Sequence, residues 1–436
     1  LVASPLSTHS LAAPQDPFAP GMRWIHQAPN TQAFVPSEVA FAHGGERVFA
    51  AGLQGHPRLL AFPTAGSGLA TPWGTDDSFL TGATLRASAQ PARSAELWAL
   101  VETQGGFGAE LEARSYPVPQ GPLSQFVPTR TWSLGPELGG PAKIALDGAG
   151  RSVVTAVADT QGNVTLRWLG SSSGQIIVER TLNLGGLSRL EMQADGARVL
   201  VGGGTNLYLL DSVTGATVHY EALAQSGEAL ALAGNGSSLA IGEFGRVRLL
   251  GADRATGGYL PAWQVQGGLT EVALLVELDR RGTTMAIAWW DWTVEDALRF
   301  ELWDLASQTR TAVHHVPTAF GTISPQNRPS AIAFSRDGKR AVFSSWGDGS
   351  RPQVVLLESG APAPIATWSV PGSPLDVDLS PEGTRVAVAL KSVHANAFGT
   401  TGEVRLYDTG ERDLVQLAPA AAGNSYSVAT RKSCPT

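Results

Sequence analysis

Short apolar runs and polar turns follow one another along this chain as a repeated phrase. Its clearest statement is residues 331–358, AIAFSRDGKRAVFSSWGDGSRPQVVLLE: an apolar strand (AIAF), a turn on Asp337-Gly338, a second apolar strand (RAVFSS), a polar loop and a third strand (QVVLLE). The phrase returns as LDVDLSPEGTRVAVAL and RLEMQADGARVLVGG. First strands are apolar at nearly every position, as expected where both faces are covered. Third strands such as VTLRWL, LYLLD and VRLYD alternate, as half-exposed strands do. A fourth strand with an aromatic residue closes most copies, around Trp132, Tyr220, Trp263 and Trp368. Asp195-Gly196, Asn235-Gly236, Gly44-Gly45, Arg281-Gly282 and Glu382-Gly383 fill the slot of Asp337-Gly338, where a hairpin needs positive φ at low steric cost.

Aligned on this pattern, the copies begin at Val39, Ala83, Ile144, Leu190, Leu230, Val272, Ala331 and Val377, the second being diverged with a longer turn. They start roughly 40 to 60 residues apart. A four-stranded antiparallel unit that cannot cover its own faces, repeated eight times, predicts an all-β, eight-bladed β-propeller. A seven-bladed ring, with the second copy as an insertion, is the alternative. Residues 22–27 (MRWIHQ) read as a strand that pairs with the last blade and locks the ring, and DLVQL (413–417) is a second candidate for that place. If both are strands, one lies outside the standard four. The expected organisation is a Pro/Ala/Ser-rich leader over 1–21, one propeller over 22–418 and a tail over 419–436.

The segments FSRDGKRAVF (334–343) and LSPEGTRVAVA (379–389) resemble the WD-repeat-like propellers, especially the bacterial TolB-like type. The likeness runs over nearly the whole chain after residue 21 and implies the fold only. Trp303-Asp304 is the one Trp-Asp of the WD kind, and no Gly-His pair recurs, which places the chain among the looser relatives.

Composition narrows the function classes. With 43% hydrophobic and 16% charged residues the chain can bury a core. A net charge of −7 without any Lys/Arg cluster argues against nucleic acid as a partner. The single cysteine, Cys434, permits neither an intrachain disulfide nor a cysteine metal site. No apolar run is long enough to predict a transmembrane segment. Only four residues are lysine (Lys143, Lys339, Lys391, Lys432), every other base being arginine. Together with the leader-like start and the Ser/Thr/Gly-rich surface, this points to an exported bacterial protein of the periplasm, cell surface or medium.

Function is expected on loops, which a rigid scaffold presents. In a propeller, the connections from second to third strand share a face with those from fourth to first. They are minimal in copies four and five, but in copies six to eight they read WWDWTVEDALRF, SSWGDGSRPQ and LKSVHANAFGTTGE. Trp290, Asp291, Trp292, Glu295, Asp296, Trp346, Asp348 and His394 would there form one patch for a protein partner, since aromatic side chains bury large area at low entropic cost. Trp289, and with it Trp290, can equally be strand residues packed between blades. Exposed tryptophan beside carboxylates also suits a glycan or other small ligand. Asp291, Glu295 and Asp296 include oxygen donors that Ca²⁺ would accept, though no EF-hand spacing is present. No other cofactor is expected. A hydrolase or lyase with a site over the central channel is the remaining reading, but no GxSxG, HExxH, P-loop or haem-attachment motif occurs.

Overall fold

The computed structural model describes residues 22–429 apart from 28–33, 56–58, 66–67, 70–82, 90–95, 106–107, 118–126, 171, 224–228, 292–297, 317–327, 348–351, 371, 393–401, 410–415 and 420–425. The regular structure among the described residues is all β. Eight sheets follow one another in chain order, each with its first strand innermost. The inner strands are Phe34–Phe41, Thr84–Ala89, Gly139–Leu146, Arg189–Met192, Leu230–Leu232, Val272–Leu278, Pro329–Phe334 and Gly372–Leu379. The diverged second copy is a full blade of four strands (Thr84–Ala89, Glu96–Gly105, Gly108–Pro117, Arg130–Pro136), so the ring has eight blades and the seven-bladed alternative is not realised.

The turns between first and second strands differ from the simplest hairpin expectation. Only the glycine of each pair takes positive φ, for example Gly338 at 70°, Gly196 at 81° and Gly236 at 69°. Its N–H closes a turn onto the residue three back, as Gly338 does onto the Ser335 carbonyl at 3.0 Å. The preceding Asp or Asn holds the turn through its side chain instead: the Asp195 carboxylate accepts from Ala197 N at 2.8 Å and Asn235 Oδ1 from Ser237 N at 2.9 Å. The dipeptide is therefore an Asx-braced turn ending in a left-handed glycine, not a two-residue loop with both residues at positive φ.

Each sheet is kept folded by its neighbours. The buried apolar side chains divide into eight clusters, and every cluster straddles one seam between consecutive blades. Along the second strand of blade 1, Val48 and Ala50 face blade 8 while Phe49 and Ala51 face blade 2, the two-residue period of a strand covered on both sides. An isolated blade would expose both rows to water, and that loss makes the ring cooperative.

Ring closure is non-covalent. Met22–Gln27 pairs antiparallel with Gly402–Asp408, the third strand of blade 8, in a register running from Met22 opposite Tyr407 to Gln27 opposite Glu403. The N-terminal strand is thus the outer strand of the last blade, as its position in the sequence predicts. Of the other candidate, 413–417, residues 413–415 lie outside the described residues; Gln416–Pro419 pairs, among the described residues, with Tyr426–Ala429 in a separate two-stranded sheet. Blade 1 departs from the four-strand pattern. Among the described residues it has three strands, and its continuation Gly68–Leu69 bridges in parallel to Trp24 and Ile25 of the closing strand.

Candidate functional site

The two ends of the ring differ. At one end lie the turns from first to second strand, laced to each other by backbone bonds: Gly148 N to Ala194 O and Ala194 N to Gly234 O, both 2.8 Å, and Arg336 N to Pro381 O at 2.9 Å. The opposite end carries the connections from second to third and from fourth to first strands, and we call it the loop face. The channel opens there.

Inner strands line the channel, and their lining is readable in two tiers. Counting back from each turn, the upper tier holds Glu38, Ala87, Lys143, Arg189, Ala229, Leu275, Ala331 and Asp376 in blades 1 to 8. The lower tier holds Ala40, Ala89, Ala145, Glu191, Ala231, Glu277, Ala333 and Asp378. In blades 1, 2, 6, 7 and 8 a β-bulge immediately precedes the upper-tier residue, and such bulges re-aim the side chains beside them.

The innermost strand of every sheet is an edge, and its N–H groups need partners. Acidic side chains supply them from one blade to the next. In the upper tier the Asp376 carboxyl accepts from Val39 N at 2.8 Å, and Glu38 accepts from Ser88 N at 3.1 Å and from the Ser88 hydroxyl. In the lower tier Asp378 accepts from Phe41 N at 2.6 Å and Glu191 from Leu232 N at 2.7 Å. Arg189 binds Glu191 and, skipping blade 5, Glu277 of blade 6. That reach passes over blade 5, whose two tier positions are the small Ala229 and Ala231.

Removal from water sets the protonation of this lining. Burial raises the Asp376 carboxyl well above its usual range; the Val39 N–H opposes this, and the charges of Glu38 and Asp378 add to it. Burial also pushes Asp378 up to about 7 against the Phe41 and Leu379 N–H bonds, and it raises Glu38 despite the bonds from Ser88. Glu277 is pushed up to about 7 by burial, with Arg189 holding it down in part and Glu191 adding to the rise. Lys143 is lowered by burial first and by the Arg189 charge second, Glu38 opposing. Near neutrality this channel therefore keeps part of its carboxyl set uncharged.

At the loop-face mouth, between blades 2, 3 and 4, opens a cavity of about 380 Å³ lined by Thr84, Arg86, Ala142, Lys143, Leu187 and Ser188 among others. Arg86 is the extra residue of blade 2's bulge. It is already engaged by Glu102 (3.1 Å), Glu137 (3.0 Å) and the Gly140 carbonyl (2.5 Å). Among the described residues the Lys143 amine has neither a hydrogen bond nor an ion pair.

An apolar patch lies on the same face at blades 5 and 6. Leu269, in the connection between them, is 95% exposed, and Phe244, at the tight corner of blade 5, is 48% exposed. They are brought together by Gly245 N to Glu271 O (2.7 Å), by Gly267 N to Gly245 O (2.8 Å) and by a bridge from Phe244 to Val272, which in turn pairs with Trp290. Ion pairs surround them: Arg299 to Glu271 at 2.8 Å and Arg248 to Glu243 at 2.8 Å.

The residues named from sequence fall out as follows. Trp289 is fully buried, its indole N–H donating to Glu301 at 2.9 Å. Trp290 is half-buried against the seam of blades 6 and 7. Asp291 is buried and accepts from the Thr270 hydroxyl at 2.5 Å, tying its corner to the connection that carries Leu269. Trp346 is half-buried, its N–H bound to the Arg328 carbonyl at 2.9 Å. Trp292, Glu295, Asp296, Asp348 and His394 lie outside the described residues. Among the described residues no three His, Cys, Asp or Glu are arranged to hold a metal ion, and no helix is long and apolar enough to cross a membrane. The channel tiers went unread in the sequence, although the copies carried the signal: Glu38, Lys143, Arg189 and Asp376 occupy one aligned position in otherwise apolar strands.

No protein-family profile matches the chain, and no curated protein sequence matches it. Its shape does match solved structures. A crystal structure of Chaetomium thermophilum Sqt1 superposes with a TM-score of 0.64 at 16% identity, covering 90% of this chain and 98% of that one. A second structure of the same protein gives 0.61 at 15% identity, covering 89% and 99%. At such identity the likeness is one of fold, the eight-bladed propeller, and function has to be argued from the site.

Proposed function

We propose that the chain is a non-enzymatic scaffold that binds a partner protein through the loop face, on a surface running from blade 5 across the loops of blades 6 to 8. The observation that carries this is Leu269: the most exposed large apolar side chain among the described residues sits beside Phe244 on the loop face. Apolar centres within a charged rim are how protein interfaces are built, and the Glu271–Arg299 and Glu243–Arg248 pairs form such a rim. Propeller neighbours support a surface-based role without naming an activity. Trp290, Trp292, Glu295, Asp296, Trp346, Asp348 and His394 belong to the same proposed surface, while the buried Asp291 holds the corner beneath it through Thr270. Work outside the bacterial cytoplasm is part of the proposal, supported by the scarcity of lysine. Fractionation of the source cells tests that part, and recovery of the protein with cytoplasmic markers removes it.

The test of the scaffold is a double substitution, Leu269→Asp with Phe244→Ser. Partners captured on the wild-type protein are identified, purified and retitrated against both proteins. Affinity is expected to fall by roughly tenfold or more, with the melting temperature moving by only a few degrees. Undiminished binding misplaces the surface. Specific binding of oligosaccharides, with no protein captured, replaces the scaffold by a glycan receptor.

A further inference from the structure

One aligned position repeats around the turn end of the channel, the second residue past each inner strand. It is small in blades 3, 4 and 5 (Gly148, Ala194, Gly234) and an arginine in blades 6 and 7 (Arg280, Arg336). In blade 2 it lies outside the described residues. Backbone bonds join the position from blade 3 to blade 4, from 4 to 5 and from 7 to 8, so these residues form the rim of the opening.

The two arginines reach over this rim in opposite directions. The stem of Arg280 lies on Gly234 of blade 5 and its tip on Gly148 of blade 3. A Cβ at Gly234 would stand 2.9 Å from the Arg280 Cγ, and one at Gly148 2.7 Å from its Nη2. Neither glycine has positive φ, so backbone conformation is not what requires it. The space they leave is the space that a long side chain from blade 6 occupies. Arg336 passes blade 8 and donates from Nη2 to the His43 carbonyl of blade 1 at 2.8 Å.

We propose that Arg280 and Arg336 are a plug, which closes the channel at the turn end and makes it a well entered from the loop face. Arginine suits the task, since its apolar stem covers the opening while its planar head meets turn carbonyls. The plug lies at the end opposite the docking surface and is independent of it. Its effect falls first on the lower tier, three residues from the rim or about 10 Å along a strand, and less on the upper tier at about 16 Å. Around Asp378 stand Ala333 and Ala40 in its own tier, with Asp376 and Glu38 above; around Glu277 stand Ala231 and Ala333, with Arg189 and Glu191. Withdrawal from water is the largest cause of the raised pKa of both carboxyls, and it is what a plug maintains.

The experiment compares the whole chain with two double variants, Arg280→Ala with Arg336→Ala and Arg280→Met with Arg336→Met. Amide exchange is read residue by residue by NMR, and carboxyl titration by ¹³C shifts. In the Ala pair the lower-tier amides of Phe41 and Leu232 are expected to exchange several-fold faster, and the upper-tier Val39 to change less. The Asp378 midpoint, about 7 in the wild type, is expected to drop by about one unit or more as water reaches it. The Met pair keeps a stem over the opening and is expected to stay close to the wild type in both readings. Exchange that rises equally in the two tiers is general loosening and overturns the plug, as does an Ala pair that leaves Asp378 unmoved. A Met pair that behaves like the Ala pair makes the guanidinium charge the agent and overturns the water seal. Should the Ala pair not fold, Arg336→Ala alone, at an exposed side chain, is expected to give the same tier difference in smaller measure, and its absence there counts equally against the plug.

Discussion

The seam between blades 8 and 1 and the seam between blades 2 and 3 both set one inner strand beside the edge of the next, with opposite contents. At the first, Asp376 and Asp378 cover two edge N–H groups from inside the chain. At the second, Ala87 and Ala89 bring no carboxyl, and Ala87 packs with Ala142 and Ile144 in the apolar cluster between the two blades. The comparison separates two uses of one position. A carboxyl supplied by the protein makes a seam self-sufficient. Its omission leaves the seam to apolar packing, which holds the blades together without covering an edge amide.

The largest effect expected from breaking this contrast comes from the acidic side. Asp376→Ala with Asp378→Ala leaves the Val39 and Phe41 N–H groups without their covers and should cost roughly 2–4 kcal/mol in urea unfolding. A loss under about 1 kcal/mol would mean that water covers the edge equally well and that the two seams do not differ in kind.

The pH dependence comes next. A carboxyl whose folded pKa lies above its unfolded one contributes stability that is full in acid and fades as pH rises through the folded value. For Asp378 that window opens near the ordinary aspartate value of about 4 and closes at about 7. Asp376 and Glu277 act in the same direction. Stability measured between pH 5 and 8 is expected to fall with rising pH, on the order of 2 kcal/mol for such a carboxyl. Asp378→Asn, which stays neutral and still accepts from Phe41, should flatten the slope. A slope of the opposite sign means that the seam is ionised.

The smallest effect sits at the cation. Lys143→Met retains the apolar stem and removes a charge that burial and Arg189 disfavour more than Glu38 favours it, so a gain of roughly 0.5–1 kcal/mol is expected. A loss of that size would show that the amine is already satisfied within the protein, and the contrast between the seams would shrink.

Much of this was legible in the residues themselves. Asp337-Gly338 and its relatives mark the first hairpin of most blades because a left-handed glycine closing a tight turn is a local, steric requirement. The row of buried residues in RAVFSS or RVAVAL announces a strand covered on both faces because side chains alternate. MRWIHQ could be assigned to the last blade because a ring of this kind leaves one strand place open and the N-terminus has a strand to spare. The candidate patch was less legible. Trp289 and Trp290 read alike as neighbours in sequence, yet one is fully buried with its N–H on Glu301 and the other half-buried. Asp291 reads as an exposed loop acid and is held inside by Thr270. Leu269 and Phe244 carried no sequence signal, because a single apolar residue in a turn looks the same whether it is covered or bare.

The sequence alone therefore determined the repeated unit and favoured eight copies closed by the N-terminal strand, since these follow from periodicity and turn sterics acting over a few residues, while the full second blade and the pairing of Met22–Gln27 with Gly402–Asp408 settled the count and the closure. Which carboxyls lie in the channel, which edge amides they cover and which seam goes without them were decided only by the tertiary structure. Those facts depend on distances between residues such as Asp376 and Val39, 337 positions apart in the chain, and on how deeply the closed ring withdraws each charge from water.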